Sequence, residues 1–234
     1  MAERSTQRPR PFAAHLARYG VVLLDGALAT ELERRGASLD DPLWSARVLL
    51  EEPERIEAVH YDYFAAGANV ATTASYQASE AGLRARGLDA SQVREVFHRS
   101  VVLAQAARTR YQAEHPRHDG GLWVAASVGP YGATLHNGAE YTADYGGIDA
   151  AGLRDFHAPR LQHLAEAAPD LLACETIPAL EEVQVLAGLL HDLHPMPAWV
   201  SVSCRDGAHV NDGTPIEAAL NAACAAPNLV AFGV

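Results

Sequence analysis

The sequence is poor in cysteine, in positive charge and in long apolar runs, and each shortage removes a class of protein. Three cysteines occur in 234 residues, Cys174, Cys204 and Cys224, scattered along the chain. They suggest neither a disulfide framework nor a Cys-x-x-Cys metal knuckle. Lysine and arginine number 18 against 29 aspartates and glutamates, a net charge of −11. Nucleic acid is not expected as a partner, because phosphate binding needs a basic stripe. No stretch reaches the roughly 18 apolar residues of a membrane-spanning helix, so no membrane partner is expected either. The opening MAERSTQRPRPF carries Arg4, Arg8 and Arg10, but no apolar segment of signal-peptide length follows. Residues 1–19 therefore read as a short, partly disordered leader on a cytoplasmic chain. No lysine lies on a strand-like segment, which leaves Schiff-base chemistry without a nucleophile. After the first apolar run stands LDGALATE rather than Gly-x-Gly-x-x-Gly, and that argues against dinucleotide binding.

What is present is an alternation. Half the chain is hydrophobic (49%), enough for one sizeable α/β core over residues 20–234. Six short apolar runs read as buried parallel strands: 21–25, 69–75, 122–128, 170–175, 198–204 and 229–234. Between them lie helical periodicities. In 91–111 the apolar positions Val93, Val96, Phe97, Val101, Ala104, Ala107 and Tyr111 recur near every 3.6 residues. In 180–193 the set is Leu180, Val183, Leu186, Ala187, Leu190 and Leu193. Gly67 predicts a helix C-cap, and TPIE predicts a helix capped by Thr214, with Pro215 first and Glu217 closing a capping box. Pro159 should kink or start a helix. Repeated β-α units give either a doubly wound sheet or a (β/α)8 TIM barrel. Polar residues gather at the strand ends: Asp25, Thr72, Thr73, Ser75, Ser127, Glu175 and Ser203. A barrel places its site on that rim, so a barrel is the expected fold, with about six of its eight β/α units in this chain.

Six segments taken in order resemble one family. They are LLDGALATELERRG (23–36), DPLWSARVLLEEPE (41–54), TTASYQAS (72–79), ASVGPYGA (126–133), LLACETIP (171–178) and NDGTP (211–215). Together they are similar to the homocysteine S-methyltransferases, above all the bacterial type that uses S-methylmethionine or S-adenosylmethionine. The resemblance covers residues 20–234. It implies a (β/α)8 barrel whose small-molecule substrates are homocysteine and a sulfonium methyl donor; it sets no oligomeric state. It also implies one zinc held by three cysteine thiolates, one in an Asn-Cys pair after strand six and two in a Gly-Gly-Cys-Cys run after strand eight. Neither motif is in this chain, so the expectation is a barrel incomplete at its C-terminus, with the first and sixth strands as unpaired apolar edges and a tendency to self-associate. A catalytically inactive remnant that binds homocysteine or methionine is the competing expectation.

The resemblance places Glu175 on the amino group of homocysteine and Asp25 and Thr73 near the substrate, with Gln77 and Ser127 as weaker members. Each has a plainer reading. Glu175 could cap the next helix, Asp25 could form a turn with Gly26, and Thr73 could be an ordinary strand residue. Tyr76 and Tyr131 could offer aromatic faces to a sulfonium or simply pack. Strand alternation turns Cys174 away from Glu175 and toward the helices, so the three cysteines read as small buried residues. The histidines of HPRH (115–118) and HDLH (191–194) close helices, where they suit the dipole rather than a metal.

Overall fold

The computed structural model describes residues 12–37, 45–118 and 120–234. Five parallel strands form one sheet: β1 (Val70–Thr72), β2 (Trp123–Val128), β3 (Leu171–Ile177), β4 (Ala198–Val202) and β5 (Leu229–Gly233). They pair in the order β1-β2-β3-β4-β5, each beside the strand before it in the chain. A doubly wound sheet reverses its order at a switch point; this sheet never does.

The expected first strand is reduced to a single bridge between Leu24 and Val70. The Asp25 amide donates to the Val70 carbonyl (3.0 Å), and the Asn69 amide donates to the Leu23 carbonyl (2.7 Å). The Asn69 side chain accepts from the Leu23 amide (3.0 Å), taking a place the backbone ladder would otherwise fill. Among the described residues no strand lies on its other side, and Leu23 and Leu24 are 51% and 56% exposed. So among the described residues the sheet has five strands and a bridge rather than six strands.

The helices are α1 (Ala13–Tyr19), α2 (Leu28–Arg34), α3 (Ser45–Glu51), α4 (Pro53–Ala65), α5 (Glu80–Ala85), α6 (Ala90–Glu114), α7 (Ala150–Glu166), α8 (Leu180–Asp192) and α9 (Ile216–Ala223); α2–α9 cover one face of the sheet, and α1 lies beside the other. Strand residues alternate between two clusters, as a pleat requires. Val124, Ala126, Val128, Leu172, Cys174, Val200 and Val202 join the helices in the main core. Val70, Ala125, Leu171, Ala173 and Trp199 line the other face, where Phe12, next to α1, packs on them. A closed eight-stranded barrel is not formed among the described residues.

Several local expectations hold. The seven periodic positions of 91–111 are all buried in α6, which opens on a reciprocal capping box between Asp89 and Gln92. Gly67 follows α4 with φ 104°, which suits a residue without a Cβ. His115 caps α6 and His191 lies in the last turn of α8.

Others do not. Residues 13–19 of the expected leader are helical, and Phe12 is only 8% exposed. Its ring meets Trp123 edge-on at 5.0 Å and lies 6.4 Å from Trp199, which anchors α1 at the amino-terminal ends of β2 and β4. The rest of that leader, and residues 41–44 of the second family segment, lie outside the described residues. Thr214 is not a cap: its amide is held by Asp212 Oδ1 at 2.8 Å, and Pro215 takes the N-cap position without a side-chain bond. Helix α7 begins at its cap Asp149 and runs through Pro159 rather than starting there. Cys224 sits one residue past α9 and is exposed, while Ala219 and Ala223 face the core.

Candidate active site

The carboxyl ends of the strands bring Asp25, Ser127 and Glu175 together. Asp25 follows the bridge to β1, and its carboxylate accepts from the Thr72 amide (2.7 Å) and from the Thr72 hydroxyl. Glu175 lies in β3 and accepts from the Ser127 hydroxyl of β2. Burial pushes the Glu175 carboxyl from an ordinary 4.5 up to about 7; the Ser127 bond opposes this, and the Asp25 charge adds to it. Burial likewise lifts Asp25 from 3.8 to about 6, against its Thr72 bonds. A cation placed beside two such carboxyls would restore both charges. Glu175 lines a cavity of about 690 Å³ on the inner face, bordered by Val22, Trp199, Ser201, Val230 and Phe232.

Local strain aims Glu175. The β3–β4 register shifts between Cys174 and Ile177, as at a bulge. Thr176 there has φ 62°. A β-branched residue in that region is strained, on the order of 1–3 kcal/mol, and such strain gathers at functional positions. Burial raises the pKa of the Tyr76 hydroxyl, and nearby Tyr141, Glu175 and Glu140 add to the shift.

The other expected residues are arranged differently. Thr73 is 3% exposed. Its hydroxyl accepts from the Ser127 amide (3.0 Å) and bonds Ser75 Oγ (2.7 Å), which donates to the Ser127 carbonyl (2.7 Å). Thr73 thus fastens the end of β1 to β2 and steadies Ser127 rather than facing the cavity. Gln77 lines a separate cavity of about 260 Å³ with Ser79, Thr134 and His136. Tyr131 packs edge-on against Tyr145 and Phe156 at 5.5 and 5.1 Å.

Three buried polar residues went unread in the sequence: His157 and Arg160 on α7, and Glu182 on α8, all 0% exposed. Glu182 Oε1 accepts from the Tyr131 amide (2.7 Å) and faces His157 Nε2 (2.7 Å), and its Oε2 accepts from the Tyr145 hydroxyl. Their one sequence signal is spacing: His157, Arg160, Leu161 and Leu164 share the buried stripe of α7.

The cysteines do not fit a zinc site. Cys174 is buried in the helix-facing core, and burial pushes its thiol up to about 12, far from the thiolate that binds metal. Cys204 is half-buried after β4 and Cys224 is exposed. Among the described residues no three His, Cys, Asp or Glu side chains converge.

A carboxyl at the carboxyl-terminal ends of parallel strands that lines a cavity, with a second carboxyl near it, defines the class: an α/β protein of parallel strands with a candidate rim site. The comparisons with known proteins narrow it. The family described as Homocysteine S-methyltransferase matches over residues 22–234. Homocysteine S-methyltransferase of Escherichia coli K12 is 49% identical over 224 residues, covering 96% of this chain and 72% of the relative. Homocysteine S-methyltransferase YbgG of Bacillus subtilis is 47% identical over 207 residues, covering 88% of this chain and 65% of the relative. The crystal structure of the E. coli homocysteine methyltransferase MmuM in its metallated form superposes with a TM-score of 0.91 at 49% identity, covering 95% of this chain and 77% of that one. The chain belongs to the homocysteine S-methyltransferase family.

Proposed function

We propose that the rim binds L-homocysteine for methylation by a sulfonium donor, S-methylmethionine first and S-adenosylmethionine second. The observation that carries this reading is the half-buried Asp25–Glu175 pair, both carboxyls held above their ordinary pKa. An amino acid's ammonium entering the cavity regains for both carboxyls the charge that burial denies them. Asp25 and Glu175 hold the ammonium; Ser127 holds Glu175; the apolar wall of Val22, Trp199 and Phe232 packs against the substrate's side-chain methylenes. In the reaction the homocysteine sulfur attacks the donor's methyl carbon in line. The bond from that carbon to the donor's positive sulfur breaks, and its electrons leave with a neutral thioether. The thiol proton passes to solvent. Positioning supplies much of the rate in such a displacement.

The resemblance expects zinc to activate the thiol within a closed eight-stranded barrel. The three cysteines do not suit that ion, so no step is assigned to it. That mismatch favours a second reading, in which the chain binds the amino acid without turnover. Calorimetry with L-homocysteine, together with a methyl-transfer assay on S-methylmethionine, separates the two. Binding that Glu175→Ala abolishes, with methionine formed, supports the first reading. The same binding without methionine supports the second. No binding by the wild-type chain refutes both.

A further inference from the structure

Arg160 is the largest fully buried side chain of the protein, and methyl transfer gives it no task. Burial lowers its pKa to about 10, so it remains a cation at neutral pH. Among the described residues no carboxylate lies within salt-bridge distance of it; Glu182 acts on it only at longer range. Instead its Nη1 donates to the Gly129 carbonyl (2.9 Å), and its Nη2 donates to the carbonyls of Tyr76 (2.9 Å) and Ser75 (3.4 Å). The two rim loops that follow β1 and β2 therefore converge on one guanidinium, whose planar fork suits several carbonyls at once. The Tyr76 carbonyl also accepts from the Gly129 amide (3.2 Å). A Cβ at Gly129 would lie 2.6 Å from that same oxygen, so the contact has no slack. Ser75 in turn donates its hydroxyl to the Ser127 carbonyl (2.7 Å), and the Ser127 hydroxyl donates to Glu175.

A leucine would satisfy the apolar stripe of α7 more cheaply than a buried cation. What it could not do is hold those carbonyls. We propose that Arg160 is a positioning residue for the carboxyl site: it fixes the backbones of Ser75, Tyr76 and Gly129 beneath the rim and, through the Ser75–Ser127 contact, sets the direction of Glu175. The effect on ligand affinity rests on the reading that Glu175 takes the substrate's ammonium; the effect on Glu175 itself does not.

The test is a double-mutant cycle of Arg160→Met and Ser75→Ala with two readouts. One is the carbon-13 carboxyl titration of Glu175, assigned with Glu175→Gln. The other is L-homocysteine affinity by calorimetry. The groups facing Glu175 are the Ser127 hydroxyl, Asp25 and the Tyr76 hydroxyl, and Arg160→Met leaves all three in the chain. Leu161→Ala, buried on the same helix, supplies a purely structural loss. Arg160→Met should move the Glu175 midpoint from about 7 toward 4.5 and weaken homocysteine about tenfold. Leu161→Ala should lower the melting temperature and leave the midpoint in place. The double variant should be no worse than Ser75→Ala alone, and Arg160→Lys, with one donor group instead of a fork, should fall between wild type and Arg160→Met. If Arg160→Met does not fold, Arg160→Lys takes its place in the cycle. An unmoved midpoint, or effects of Arg160 and Ser75 that simply add, overturns the proposal. The titration needs no ligand, so a wild-type chain that fails to bind homocysteine removes the functional reading while the midpoint still judges Arg160.

Discussion

Replacing Glu175 by glutamine should strengthen the empty protein while it weakens ligand binding. Glutamine has the shape of glutamate without its charge, and its carbonyl can still accept from the Ser127 hydroxyl. In the folded chain the Glu175 carboxyl keeps its proton until about pH 7, against an ordinary 4.5. Between those values the native state holds a proton that the unfolded chain has released, so stability is highest below about 4.5 and falls as pH rises to about 7. The difference is worth roughly 3 kcal/mol at pH 8. Asp25 acts in the same direction between 3.8 and about 6. Glu175→Gln removes the larger of the two losses. At pH 8 the variant should gain up to roughly 3 kcal/mol, or as much as about 10 °C in melting temperature; at pH 4.5 it should match wild type. The same change removes one side of a buried charge pair with the substrate's ammonium, which costs roughly 2–5 kcal/mol, about 30-fold or more in affinity. Circular-dichroism melts at pH 4.5 and 8 at one ionic strength, followed by calorimetry with homocysteine, measure both effects. A variant less stable than wild type at pH 8 would refute the reasoning, because it would make Glu175 a structural cap. So would a gain that does not depend on pH.

Phe12→Ala should free α1 from the ends of β2 and β4 at a cost of about 3 kcal/mol, shifting tryptophan emission to the red as Trp123 and Trp199 meet water; unchanged emission would show that α1 docks by other contacts. A thiol reagent at pH 8 should modify Cys224 first and Cys204 more slowly, and reach Cys174 only after unfolding, since that sulfur is fully buried with its thiol raised to about 12; fast labelling of three thiols in the native chain would contradict the packing of β3.

The helices were legible because burial imposes a period. Val93, Val96, Phe97 and Val101 fall on one stripe of α6, and no other period fits them. The segment at 21–25 misled for a related reason. Valine and leucine signal burial, but a strand also needs a partner on each side, and among the described residues this one has a partner on one side only. The arginines before Phe12 masked α1, since its docking rests on two rings, Phe12 and His15, that both meet Trp123. At the site, Asp25, Ser127 and Glu175 were readable as polar residues at strand ends. The pleat then separates them from Thr73, whose hydroxyl turns to β2. Thr176 could not be found by pattern, because positive φ normally summons glycine or asparagine. Arg160 and Glu182 were hidden by their charge: on a helix a charged residue reads as solvent-facing until the carbonyls or amides it serves are known.

The unbroken strand order has a consequence for how the chain can be made. Every strand pairs with the one synthesised just before it, so no slot in the sheet stays vacant for a later arrival to thread into. Each new β-α unit can add to a finished edge as it emerges, and loop closure then spans only one unit at a time. A ribosome could thus hand over this sheet as one lays a fence, post by post from the first.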